Sequence, residues 1–133
     1  MLHTLTSIGA SITLQLFAAD FYSRESIAVA PGQVYQVEVL PNQYWTDWWK
    51  KSDASGFNNP LANLWGKRVK KTKCFTLCGV YDKNESTGFA IGLQKEIVVS
   101  APSASVLYFF ANDSKNYYSN NKGSIMVKIT RTK

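Results

Sequence analysis

Ser124-Ile125-Met126-Val127-Lys128-Ile129-Thr130, close to the C-terminus, places Ile125, Val127 and Ile129 at every second position. Successive side chains of an extended strand point to opposite faces, so this spacing predicts a strand with one side in a core. Ser11-Ile12-Thr13-Leu14-Gln15-Leu16 repeats the pattern near the other end. Between them lie further short runs: Ser26 to Ala30, closed by Pro31-Gly32, and Val34 to Leu40, stopped by Pro41-Asn42. Cys74 to Tyr81 follows, then a turn at Asp82-Lys83-Asn84, then Gly88 to Leu93, Glu96 to Ser100 and Val106 to Ala111. Gln43 to Gly66 holds all four tryptophans and an Asn58-Asn59-Pro60 break, and reads as mostly loop with room for one short helical turn. No helical period persists. Roughly eight short strands, with turn signals about every 8 to 12 residues, predict an all-β chain folded as a jelly-roll-like β-sandwich of two antiparallel sheets. Residues 1–133 are expected to form a single domain. Residues 1–25 read either as an extra strand or as an arm exchanged between subunits.

The composition fits such a fold. Hydrophobic residues make up 45% and charged residues 18% of 133, which is globular rather than disordered. Aromatics reach 14%, an excess that suits a pleated surface and equally a surface that offers flat rings to a ligand. The net charge of +6 owes much to Lys67-Arg68-Val69-Lys70-Lys71-Thr72-Lys73. A basic run between apolar segments is expected to be a solvated turn or a guarded strand edge, and no nucleic-acid motif surrounds it, so no nucleic-acid partner is expected. Cys74 and Cys78 would lie roughly 13 Å apart on a regular strand, too far for a disulfide without a bulge, and read as two small buried apolar residues. One distant His3 adds too little for a zinc site. Ile8 to Ala19 resembles a signal peptide only loosely, because a charged leading segment is missing and Thr, Ser and Gln interrupt it. No run is long enough for a transmembrane helix, so a soluble protein without membrane insertion is expected, its compartment open between bacterial cytoplasm with release and the cell exterior.

Catalysis finds no support in the residues. A Ser-His-Asp set, a Gly-rich phosphate loop and an HExxH motif are all missing. Asp47, Asp53, Asp82 and Asp113 could in principle supply a carboxylate pair, but nothing in the sequence pairs them. A protein that is not an enzyme is expected.

The informative stretch runs from Asn112-Asp113-Ser114 through Tyr117-Tyr118 to Asn120-Asn121-Lys122-Gly123. A strand delivers Asp113 to its end and Asn120-Asn121 precede the next strand, so the loop folds back on itself. One carboxylate, two amide oxygens and several main-chain carbonyls can then converge, an all-oxygen environment suited to calcium. A tight turn made by Asn-Asn-Lys-Gly is the plainer reading of the same residues. With Asp113 the one carboxylate in view, modest affinity is expected. Vicinal sugar hydroxyls, also neutral oxygen donors, could fill the ion's vacant positions.

Asn112-Asp113, six residues, Asn120-Asn121-x-Gly123-Ser124 and an alternating final strand together resemble the galactose-binding bacterial lectins of the LecA (PA-IL) family. Pro31-Gly32, Trp65-Gly66 and Cys74 with Cys78-Gly79 look like landmarks of that family in the same order, and the likeness spans approximately residues 26 to 131. The resemblance implies a galactose-binding-domain-like sandwich that holds one calcium through the side chains of Asp113, Asn120 and Asn121 and the carbonyl of Tyr117. A further carbonyl would come from Tyr44, Trp45 or Trp48. Asp113 and Asn120 would also hydrogen-bond a terminal galactose-type glycan, and a homo-oligomer, tetramer or dimer, would be expected. The family's His-Pro loop is replaced here by the shorter Lys67 to Lys73, without His or Gln, so secondary sugar contacts must differ. That change also leaves room for a lectin-fold interaction or structural module that no longer binds sugar. Of the tryptophans, about two are expected in the core or a subunit contact and one beside the sugar. The sequons at Asn84 and Asn112 read as chance.

Overall fold

The computed structural model describes residues 1–60 and 66–133. In chain order, β1 (Leu2–Thr4), β2 (Ser11–Phe17), β3 (Ser26–Val29), β4 (Val34–Val39), β5 (Trp45–Asp47) and β6 (Lys50–Ser52) precede β7 (Leu77–Tyr81). β8 (Phe89–Ala90), β9 (Gln94–Val98), β10 (Ser105–Ala111) and β11 (Asn121–Arg131) complete the set. They form two sheets. One is ordered β1-β3-β10-β7-β8, the other β6-β5-β11-β4-β9, with β2 on the free side of β11. Among the described residues every strand pairing is antiparallel except β1 with β3. The two sheets face each other across one core, an all-β sandwich as the alternation predicts.

β11 is the spine. Ile125, Val127 and Ile129 are buried to 1% exposure or less and pack with Leu14, Leu16 and Val37 against Ile27, Leu107 and Phe109 of the opposite sheet. Each such side chain, fully buried, stabilises the fold by roughly 1.5–3 kcal/mol. Residues 1–25 add two strands to these sheets: β1 extends the first sheet, and β2 runs beside β11 from Phe17 opposite Ser124 to Ser11 opposite Thr130.

Between 43 and 60 the chain is more ordered than its sequence suggests, while 61–65 lie outside the described residues. β5 and β6 form a hairpin, and β5 pairs with the start of β11: Asn121 with Asp47, Lys122 with Thr46, Gly123 with Trp45. Three-residue strands are too short for a period to show, which is why the pattern conceals them. Trp45 is buried, its indole N–H donating to the Phe75 carbonyl at 3.1 Å. Gly123 has φ +83° where β11 passes from β5 to its longer pairing with β2 and β4, a conformation that favours glycine.

The strand expected from Cys74 begins instead at Leu77. Phe75 sits at φ +63°, its N–H donating to the Asn112 carbonyl at 2.7 Å, so the chain bulges before β7 starts. Both cysteines are free and buried, Cys74 in the main core and Cys78 in a second cluster with Val80 and Phe110 behind the first sheet. Burial pushes both thiols up to about 12, so they serve as apolar filling in the metal-free protein. Among the described residues no helix is long and apolar enough to cross a membrane.

Candidate functional site

Period-two alternation explains how polar groups reach the mouth of the sandwich. On β11, Asn121 shares the inward face with Ile125, and on β5, Asp47 shares it with Trp45. The two inward polar residues are paired across the strands. β10 ends at Ala111 and delivers Asn112, Asp113 and Ser114, all at 5% exposure or less. Tyr117 N–H donates to the Ser114 carbonyl at 3.0 Å, closing a turn, and a single 3-10 turn over Tyr118–Asn120 leads back into β11. Trp48 N–H donates to the Asn120 carbonyl at 3.0 Å and ties the β5–β6 hairpin to the loop.

Four buried side-chain oxygens in this loop and strand start find no hydrogen-bond partner among the described residues: Asp113 Oδ2, Ser114 Oγ, Asn120 Oδ1 and Asn121 Oδ1. Buried polar atoms are nearly always partnered, because each one left alone costs about 1–3 kcal/mol. Several acceptors orphaned together are what ordered water or a bound cation would satisfy. Asp113 Oδ1 accepts from the Ser114 N–H at 2.7 Å, and the Asn121 amide N–H donates to the Ala18 carbonyl at 3.0 Å. These bonds aim the remaining oxygens. Lys115 and Lys122, the basic residues adjacent in sequence, are both exposed.

Asp47 and Cys74, which sequence reasoning does not connect to this loop, stand with Asp113 so that one ligating atom from each lies within 4.8 Å of the others. Burial, reinforced by the Asp47 charge, pushes Asp113 up to about 6, with the Ser114 N–H and Asn121 drawing it partly back. Asp47 is also raised by burial. A clue to Asp47 was its position two residues after Trp45, but it means something only once β5 is known to be a strand.

The cluster opens into a cleft of about 550 Å³ whose walls include Asp47, Trp48, Trp49, Asp113, Tyr117 and Asn120. Trp48 and Trp49 are 66% and 74% exposed, and Trp48 has φ +54° in a two-residue hairpin turn, a position that favours glycine. Tyr44 is exposed away from this cleft, Trp45 is in the core and Trp65 lies outside the described residues. Of the three positions considered for a further carbonyl, Trp48 is the one in the cleft wall.

The basic run departs from expectation. Arg68 has a fully buried side chain. Its guanidinium pairs with Glu85 at 2.8 and 3.0 Å, donates to the Phe21 carbonyl at 2.6 Å and to the Tyr118 hydroxyl at 2.9 Å, and lies over the Phe21 and Phe110 rings. Arg68 N–H donates to the Asp113 carbonyl, and Asn112, fully buried, accepts from the Val69 N–H and donates to three carbonyls of the same segment. Arg68 and the main chain of the run are therefore the structural backing of the candidate loop, while Lys70, Lys71 and Lys73 form the exposed turn that was expected. Burial also closes the Asn112 sequon to a glycan.

No family model matches the chain, and no curated protein matches it. Among solved structures, the EclA N-terminal domain, a PllA-like lectin, is similar in fold, with a TM-score of 0.62 and 15% identity over 90% of this chain and 94% of that one. The chain has a lectin-like β-sandwich fold.

Proposed function

We propose that the chain is a calcium-dependent carbohydrate-binding domain, not an enzyme, that takes terminal galactose-type sugars at the mouth of its sandwich. The group of orphaned buried oxygens on Asp113, Ser114, Asn120 and Asn121 carries this reading. The donor set is hard oxygen, as calcium requires. Asp113, Asn120 and Asn121 would hold the ion, with main-chain carbonyls such as that of Tyr117 completing the protein's share. A bound calcium would supply open coordination positions for two adjacent sugar hydroxyls. Asp113 and Asn120, both in the cleft wall, would accept hydrogen bonds from them. The fold shared with a lectin domain is consistent with this use. Single sites of this kind bind weakly, so a homo-oligomer, dimer or tetramer, would raise avidity.

Titration calorimetry with galactose, in calcium and in excess chelator, tests the proposal. Heat is expected only in calcium. Equal heats in both would remove the metal from the account, and no heat with any of a panel of hexoses would remove the sugar.

Trp48 supplies a separate expectation. A bulky aromatic held at positive φ costs roughly 1–2 kcal/mol, and its ring is left in solvent at the cleft, an arrangement that serves a ligand better than it serves folding. The apolar C–H face of a sugar fits such a ring. Trp48→Gly is expected to leave thermal stability unchanged or raised while weakening sugar binding about tenfold, a value typical of a lost aromatic contact. Unchanged sugar affinity would take Trp48 out of the site.

A further inference from the structure

We infer that Asp47 is a second carboxylate of the same metal centre, so that the site presents a formal charge of −2 rather than −1 to the cation. This rests on the calcium reading above and adds a ligand that the resemblance does not supply. Three observations carry it. Asp47 and Asp113 offer oxygens within 4.8 Å of one another, although both are at least half withdrawn from water and like charges so placed repel. Among the described residues no hydrogen bond or ion pair engages the Asp47 carboxylate, and its cross-strand neighbour Lys50 forms no salt bridge with it. Asp113 Oδ2, Asn120 Oδ1 and Asn121 Oδ1, unpartnered and buried, belong to the same cleft mouth, with Asn121 directly opposite Asp47 in the β5–β11 ladder. Lys50 lines the same cleft, but its ammonium lies over the Phe57 ring and bridges neither acid; a divalent ion between the two carboxylates removes their repulsion and satisfies the orphaned oxygens together. Calcium sites gain affinity as the number of charged ligands rises. The second carboxylate therefore shifts the centre from the modest affinity of a single-acid site toward tighter binding. Cys74, the third member of the cluster, is a poor donor to a hard ion and stays a neutral wall.

The full chain is titrated with calcium alone, without sugar, as wild type, Asp47→Asn and Asp47→Ser, and each is melted in chelator. Both variants are expected to bind calcium at least about tenfold more weakly than wild type. In chelator both are expected to melt at or above the wild-type temperature, because they relieve the carboxylate repulsion. A merely structural Asp47 would give the opposite melting result. Calcium affinity in both variants within twofold of wild type overturns the inference while leaving the calcium site standing. Wild type that takes up no calcium overturns the proposed function itself, and this inference with it.

Discussion

Arg68→Ala is expected to lower the unfolding free energy by about 3–5 kcal/mol, the usual cost of stripping one partner from a buried, hydrogen-bonded charge. In a chain of this length that lowers the melting temperature by roughly 10–20 °C. The side chain has no exposure and carries several duties at once. It bonds Glu85 through two nitrogens, the Phe21 carbonyl and the Tyr118 hydroxyl, and it fills the space between the Phe21 and Phe110 rings. Alanine leaves Glu85, a backbone carbonyl and a cavity between rings without their partner. Glu85→Gln should cost far less, because Glu85 is 30% exposed and water can replace the lost charge. In the double variant the two effects should fall short of their sum, since the second change removes a partner already orphaned. The Arg68 guanidinium holds the Glu85 carboxyl below the usual carboxylate range, so this contribution is present at neutral pH and fades as pH falls through that lowered value. Chemical denaturation in chelator provides the measurement. A loss under about 1 kcal/mol for Arg68→Ala would show that the network is decoration.

Arg68 also illustrates what a sequence conceals. Five Lys or Arg residues within seven positions suggest a solvated segment, and Lys70, Lys71 and Lys73 are indeed exposed. Only the placement of Glu85, Tyr118 and two aromatic rings around one member of the run turns it inward, and those partners are spread from Phe21 to Tyr118. The sandwich was legible because β2 and β11 are long enough for period two to appear, and because β11 joins Leu14, Leu16 and Val37 to one core. The β5–β6 hairpin was hidden because three residues give no period, and its turn carries two tryptophans where glycine would have signalled it. Asp47 was hidden for the same reason. Asp113, Asn120 and Asn121 could be singled out as one loop, since the first and last are only eight positions apart. Their pairing with an acid 66 residues upstream is a property of the β5–β11 ladder, which local sequence does not contain.

Asp113→Asn is expected to move the metal-free and the calcium-loaded protein in opposite directions. In the metal-free protein the Asp113 carboxyl is raised from its ordinary 3.8 to about 6, first by burial. The folded chain then holds that proton more tightly than the unfolded chain does. Folding is favoured most below about pH 4, and the advantage is lost as pH rises through about 6, leaving a deficit on the order of 3 kcal/mol at neutral pH. Asparagine keeps an oxygen to accept from the Ser114 N–H but cannot ionise, so the variant melted in chelator should be more stable than wild type at pH 7 and equal to it near pH 4. Calcium reverses the order. An ion bound at one hundred times its dissociation constant stabilises the fold by about 2.7 kcal/mol, and it needs the carboxylate deprotonated. Wild type should therefore gain stability from calcium at pH 7 and almost none below pH 5, while Asp113→Asn gains little at any pH and binds no galactose. The four melting curves, two proteins with and without calcium at neutral pH, should cross. A variant that still responds to calcium as wild type does would place the ion elsewhere, and the orphaned oxygens at the end of β10 would then need another partner.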